Sequence, residues 1–264
     1  MQAMPMMSEL AEPGFATSSQ HWYRLDGSPA YTVIGKNGKE RATTLRDARS
    51  LQLVPSVTTI IRMAAAPALE KWKRDQVLLA ALTLPQREGE PEAEWLKRVE
   101  QDWQEQGRKA ADKGTRIHTA IEQHFRDEQP DEELWDWVKI AKDELLDRCG
   151  AQAWKPERSF AHPSGYGGKT DLHSDEWVID IKTKDGDPPS ALYDEHLMQL
   201  AAYRMGLGVM NARCAILFVS RDHPSARLVE PSALELIQGE NMFMALLAFW
   251  QAKTGHRPRL KEAA

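Results

Sequence analysis

The stretch from Gly165 to Thr183, GYGGKTDLHSDEWVIDIKT, constrains this chain more than any other. It reads as two strands joined through Ser174-Asp175. Side chains alternate along a strand, so a tight loop there sets His173 opposite Glu176 and Asp171 opposite Val178. Asp171, Val178, Asp180 and Lys182 then share one face. The two aspartates become diagonal neighbours, roughly 7–8 Å apart at Cα. Ile179 and Ile181 point the other way, into a core. A lone aspartate and lysine on a strand are ordinary surface residues. Here they interrupt the apolar run Val178-Ile179-Ile181, which suits a central strand, where an unneeded carboxylate is costly. The face is sensitive to parity: a loop one residue longer or shorter turns Asp171 to the other side.

The rest of the chain frames this hairpin. Trp22–Leu25 and Tyr31–Ile34 flank the turn Asp26-Gly27-Ser28-Pro29, and Lys36–Lys39 marks another turn. Pro55 and Ser56 read as a helix entry, with Ser56 as N-cap. From 67 to 149 the pattern is helical, in segments near 67–83, 90–108, 109–127 and 131–148, with Pro85, Pro91 and Pro130 between them. Strands follow near 153–160, 166–173, 176–183 and 212–220, with helices at 190–208 and 232–253. The expected class is α/β, with a helical lobe at about 65–150 and a sheet core at about 151–230 within one domain, 21–264. Residues 1–20 read as a flexible tail without the basic and apolar regions of a secretory signal.

Composition narrows the function classes. The chain has 264 residues, with 34 Lys and Arg against 39 Asp and Glu, a net charge of −5. That balance disfavours a basic coat for duplex DNA or acidic lipid but leaves room for a local basic channel. No apolar run approaches the roughly 18–20 residues that span a bilayer. The two cysteines, Cys149 and Cys214, exclude a disulfide framework, a zinc ribbon and a four-cysteine iron–sulfur cluster, and they fit a reducing cytoplasm.

Two carboxylates in this arrangement suit one or two hard cations, Mg²⁺ or Mn²⁺. Such ions activate water and neutralise charge in phosphodiester hydrolysis, and a neighbouring lysine orients the water or stabilises the negative charge. On the 109–127 helix, Gly114, Ile117, His118, Ile121 and Phe125 recur at three- and four-residue steps, which puts His118 in the inward stripe. Glu122 is one turn further on, and Gln199 and Tyr203 share a face of a later helix.

Four elements in order resemble the PD-(D/E)xK nuclease superfamily, in its RecB-like and phage-exonuclease branch, which includes mitochondrial genome-maintenance exonucleases. Gly168-Lys169-Thr170-Asp171 matches G-x-x-D, and Asp180-Ile181-Lys182 matches (D/E)-x-K. Gly114–His118 resembles the upstream G-x-x-x-H helix, and Gln199–Tyr203 the downstream Q-x-x-x-Y helix. Val54-Pro55-Ser56-Val57-Thr58 is similar to a leader of the same branch. The proline usual before the first aspartate is absent, and Thr170 stands there.

The resemblance implies a mixed central sheet flanked by helices. It implies Asp171 and Asp180 as metal ligands with the Ile181 carbonyl and His118, Lys182 acting on the nucleophilic water, and Gln199 and Tyr203 supporting the lysine or contacting phosphate. Glu122 and Glu157 are further acidic candidates. Ser56, Thr58, Arg62, Lys73, Arg116 and Thr183 are assigned to substrate. The basic residues of the helical lobe, with tryptophans among them, could line a channel for single-stranded DNA; interspersed acids such as Glu92, Glu100 and Glu105 give the alternative of a solvated helix surface.

The expected function is a metal-dependent deoxyribonuclease, an exonuclease of phage or prophage type leaving 5′-phosphates on single strands or duplex ends, in recombination, repair or replication. A single-strand annealing or recombination protein is the expected partner, in the cytoplasm. Alternatives are a structure-specific endonuclease on the same site and a non-catalytic nucleic-acid-binding protein.

Overall fold

A computed structural model describes residues 21–64 and 67–258. The expected tail, 1–20, lies outside them. Strands β1 (Trp22–Tyr23), β2 (Thr32–Ile34) and β3 (Glu40–Ala42) precede α1 (Leu45–Leu51), β4 (Val54–Pro55) and α2 (Val57–Ile61). Then come α3 (Pro67–Thr83), α4 (Glu92–Phe125) and α5 (Trp135–Cys149). Strands β5 (Lys155–Pro156), β6 (Ser159–His162), β7 (Tyr166–Lys169), β8 (Leu172–His173) and β9 (Trp177–Lys184) lead to α6 (Asp194–Leu207), β10 (Arg213–Ser220), β11 (Ala226–Val229) and α7 (Ala233–Thr254).

The main sheet has the order β11-β10-β9-β8-β5; β9 and β10 run parallel and the other pairs antiparallel. Helices cover both faces. Val178, Cys214, Ile216 and Phe218 pack with α6 and α7, while Ile179, Ile181, Ala215 and Leu217 pack with α4 and α5. Burial on both faces explains why β9 and β10 are near-continuous apolar runs. The fold is α/β, a mixed sheet flanked by helices, as expected.

Several expected elements differ. The turn at Asp26–Pro29 forms, with Tyr23 bridged to Pro29 and Ala30 N–H on the Trp22 carbonyl at 2.8 Å, but β2 does not continue beside β1: β1 pairs with β4, and β2 pairs with β3 around the turn at Gly38, which holds φ +73°. The helices expected at 90–108 and 109–127 are one helix, α4, about 51 Å long at 1.5 Å per residue. The exposed Gly107 between them costs the helix only about 1 kcal/mol relative to alanine, and no proline breaks it. The short α1 was not anticipated, although Thr44 and Asp47 form a capping box at its start. Nor was the edge strand β11.

Two expected long strands each break in the middle. The 153–160 segment divides at Glu157 into β5 and β6, and the 166–173 segment divides at Thr170-Asp171 into β7 and β8. β6 and β7 leave the main sheet as a separate two-stranded ribbon. The sheet therefore opens beside β9, at Asp171.

Candidate active site

The hairpin register differs from expectation in a way that preserves its chemistry. His173 pairs with Val178 and Leu172 with Ile179, and Ser174 N–H closes on the Trp177 carbonyl at 2.8 Å. The turn thus lies at Asp175-Glu176, one residue further on than Ser174-Asp175, which moves the register by two. An even shift keeps side-chain parity, and it brings Asp171 level with Asp180 rather than diagonal to it.

At this level β8 has already ended. With no strand left on the β8 side, the Ile181 N–H donates to Asp171 Oδ2 at 2.6 Å. A side-chain carboxylate thus replaces one rung of the ladder and satisfies a buried amide. Asp180 lies on the α6 side of β9. Gln199 Nε2 donates to Asp180 Oδ1 at 2.7 Å and to the Tyr203 hydroxyl oxygen at 2.8 Å. Lys182 Nζ lies 2.8 Å from Asp180 Oδ2 as an ion pair. Apart from this ammonium, the buried Oδ2 has no polar partner among the described residues.

Helix α4 brings His118 to the opening. Ile117, Ala120 and Ile121 bury its inner face. Gly114 allows the close approach to β9: a Cβ there would lie 2.5 Å from Thr183 Oγ1. One turn on, His118 Nε2 is 3.1 Å from Asp171 Oδ2 and Nδ1 is 3.3 Å from Glu122 Oε1. Donor atoms of His118, Glu122 and Asp171 all lie within 4.8 Å of one another.

Burial and proximity set the charges. Desolvation and the neighbouring Asp171 push Asp180 up to about 6, against the pull of Lys182. Burial would raise Asp171 too, but His118 and Lys182 hold it below the usual carboxylate range. For His118, burial is outweighed by Asp171, Glu122 and Asp180, which push it up to about 9. Lys182 is likewise desolvated, yet Asp180 and Asp171 keep it above the ordinary lysine value. Burial raises Glu122 and lifts Tyr203 well above an ordinary phenol.

No family model matches the chain, and no curated protein matches it. Among solved structures it is similar to a candidate exonuclease from Eubacterium rectale, at 11% identity and a TM-score of 0.40, over 58% of this chain and 76% of that one. It is also similar to an alkaline exonuclease from Laribacter hongkongensis, at 16% identity and a TM-score of 0.32, over 52% of this chain and 79% of that one.

Of the residues singled out in the sequence, Asp171, Asp180, Ile181, Lys182, His118, Glu122, Gln199 and Tyr203 come together. Glu157 sits just beyond them, bonded to Arg126 and Lys169. Ser56 caps α2, accepting from Thr59 N–H at 3.0 Å. With Thr58 it lines a cavity of about 190 Å³ next to the site, shared with Tyr23, Tyr31, Lys169 and Tyr203.

The remaining candidates lie elsewhere. Thr183 points to the α4 side of β9, against Gly114. Lys73 pairs with Glu70 at 2.8 Å, and Arg116 bonds Asp131 at 2.6 Å and Glu133 at 3.0 Å. Arg62, at the end of α2, is near enough to His21 for its charge to help push that imidazole down, after burial. Sequence reasoning missed Arg126 and the cavity roles of Lys169, Tyr23 and Tyr31. Arg126 was within reach, since it follows Glu122 by one helical turn and His118 by two. Nothing local announces that Tyr23 and Tyr31, hydroxyl to hydroxyl at 2.8 Å, meet the end of β7.

Proposed function

We propose that this chain is a divalent-metal-dependent DNA nuclease of the PD-(D/E)xK type, acting as an exonuclease, with residues 21–264 forming one nuclease domain. The carrying observation is the meeting of Asp171 and Asp180 with Lys182 and His118 at the opening of the sheet. Two adjacent buried carboxylates repel each other, and apart from Lys182 the Asp180 Oδ2 has no polar partner among the described residues. Carboxylate oxygens with one imidazole form a donor set for Mg²⁺ or Mn²⁺. Asp171, Asp180, His118 and the Ile181 carbonyl would hold the ion, which when bound activates water and neutralises charge on the phosphodiester.

The protein's own groups do the rest. Lys182 is held protonated by the two aspartates, so it acts as a donor that orients water and stabilises negative charge on phosphate oxygens. Gln199 fixes Asp180 through Oδ1, and the Tyr203 hydroxyl holds Gln199 in turn. Ser56, Thr58 and Lys169 line the adjoining cavity, where they would take a phosphate of the same strand. Products with 5′-phosphates and exposed single strands would suit recombination or repair with an annealing protein.

The test is digestion of end-labelled linear DNA and of circular single-stranded DNA with Mg²⁺ or Mn²⁺, comparing wild type with Asp180→Ala. Cleavage of linear DNA alone, abolished by the substitution, is expected. Cutting of circles would replace exonuclease with endonuclease. Equal cutting by both proteins, or none with any metal, would overturn the nuclease reading. Among the described residues, no helix is long and apolar enough to cross a membrane.

A further inference from the structure

His118 engages carboxylates through both ring nitrogens, Asp171 at Nε2 and Glu122 at Nδ1. A histidine that binds a cation through one nitrogen donates from the other to an outer partner, which fixes its tautomer and ring orientation. Glu122 stands at the nitrogen away from Asp171. Its second oxygen, Oε2, accepts from Arg126 Nη2 at 3.4 Å. The same guanidinium donates to Glu157 Oε2, and Glu157 Oε1 accepts from Lys169 Nζ. Charges therefore alternate from His118 through Glu122, Arg126 and Glu157 to Lys169, from the centre of the site to its neighbouring cavity. Glu157 is held at φ 52°, a left-handed conformation rare for a side chain of its kind, and its N–H donates to the Asp171 carbonyl at 2.9 Å. The far end of this chain of charges is thus tied to the backbone of the first aspartate.

We propose that Glu122 is the positioning residue for His118, held in place by Arg126, and that it stands outside the ligand set. The inference rests on the nuclease reading for the existence of the cation site. The donor spacing would admit Glu122 as a third ligand, but ligation through Oε1 would draw that oxygen off His118 Nδ1.

The experiment is Mn²⁺ titration by calorimetry on the full-length, metal-freed protein, with thermal melting to establish that each variant folds. Glu122→Ala is expected to weaken Mn²⁺ binding about 10–100-fold, the usual effect of removing such an outer partner. Glu122→Gln keeps an oxygen that accepts from Nδ1–H and should stay within about tenfold of wild type. Arg126→Met should lose about tenfold and Arg126→Lys recover most of it. If Gln at 122 is as damaging as Ala while Arg126→Met binds normally, Glu122 is a direct ligand and the proposal is overturned. Wild-type affinity in Glu122→Ala overturns it equally. These results are separable from failure of the nuclease reading, which would appear as no Mn²⁺ binding by wild type and no effect of Asp180→Ala on DNA cleavage.

Discussion

The charges at the opening of the sheet and those on the outer part of α4 obey different rules. At the sheet, Asp180 and Lys182 come from β9, His118 from α4, Gln199 from α6 and Asp171 from the break between β7 and β8, and contacts between these parts join them. On the outer helices the cations find acids nearby: Lys71 with Asp75, Lys73 with Glu70, and Lys109 with Glu105. From Glu92 to Lys113 only Val99 of α4 is buried, whereas Gly114, Ile117, Ala120, Ile121 and Glu122 are all buried in the next nine residues. One helix thus carries a solvated arm and a buried wall of the candidate site. Buried charges assembled across elements carry a large desolvation cost and are kept for chemistry or specificity. Pairs one turn apart on a helix are weak and replaceable.

The largest expected break follows from this contrast. Asp180→Ala and Lys182→Met should each lower cleavage of linear DNA by about 10²–10⁴-fold, the range for a positioned catalytic group, while circular dichroism shows the fold intact. Retention of wild-type rates by either variant would place the chemistry elsewhere.

Metal affinity should depend steeply on pH. Without metal, His118 keeps its proton up to about pH 9 and Asp180 up to about pH 6. A cation held by the proposed ligand set would displace both protons. Mn²⁺ affinity measured by calorimetry should rise about tenfold per pH unit between 6 and 9, more steeply below 6, and level off above 9. Stability of the metal-free protein runs the opposite way. Both values are raised, from 3.8 for Asp180 and 6.5 for His118. Their contributions are therefore complete below those unfolded values and are lost as pH rises through about 6 and about 9. Urea midpoints in chelator that instead rise across this window would show that neither group is placed as described.

A smaller effect tests the wall of the site. Gly114→Ala puts a methyl 2.5 Å from Thr183 Oγ1. Overpacking of this kind costs about 1–3 kcal/mol, read as a lower urea midpoint. Thr183→Ala in the same chain should recover most of the loss by removing the opposing atom. No loss in the single variant would mean that α4 does not press on β9 there.

These contrasts also explain what the sequence made legible. Period-two alternation placed Asp171, Asp180 and Lys182 on one side, and a two-residue shift of register left that intact. Helical spacing put His118 inward, and Gln199 and Tyr203 on one face. Each is a local rule acting over a few residues. The pairing of β1 with β4, the division of two strands at Glu157 and at Thr170-Asp171, and the cavity between Tyr31 and Lys169 depend on which distant segments pair. Turn signals mark where a chain can bend, not which strand receives it. Charge clusters on the lobe were read as candidate DNA contacts because composition carries no information about the acid one turn away.

The smallest effect concerns those clusters. A cation that neutralises a DNA phosphate releases a counterion, so its loss lowers the slope of log affinity against log salt by about 1. Lys169 lines the cavity beside the carboxylates, and Lys169→Ala should show that change in DNA binding measured with Ca²⁺ in place of the catalytic metal. Lys73 and Arg116 are exposed and already face Glu70, Asp131 and Glu133. Lys169 is itself paired with Glu157, so what separates the two sets is position: Lys169 stands beside the carboxylates, and Lys73 and Arg116 do not. Lys73→Ala and Arg116→Ala should therefore leave the salt slope within error of wild type. A reduction equal to that of Lys169→Ala would put the strand along the outer faces of α3 and α4 and away from the cavity.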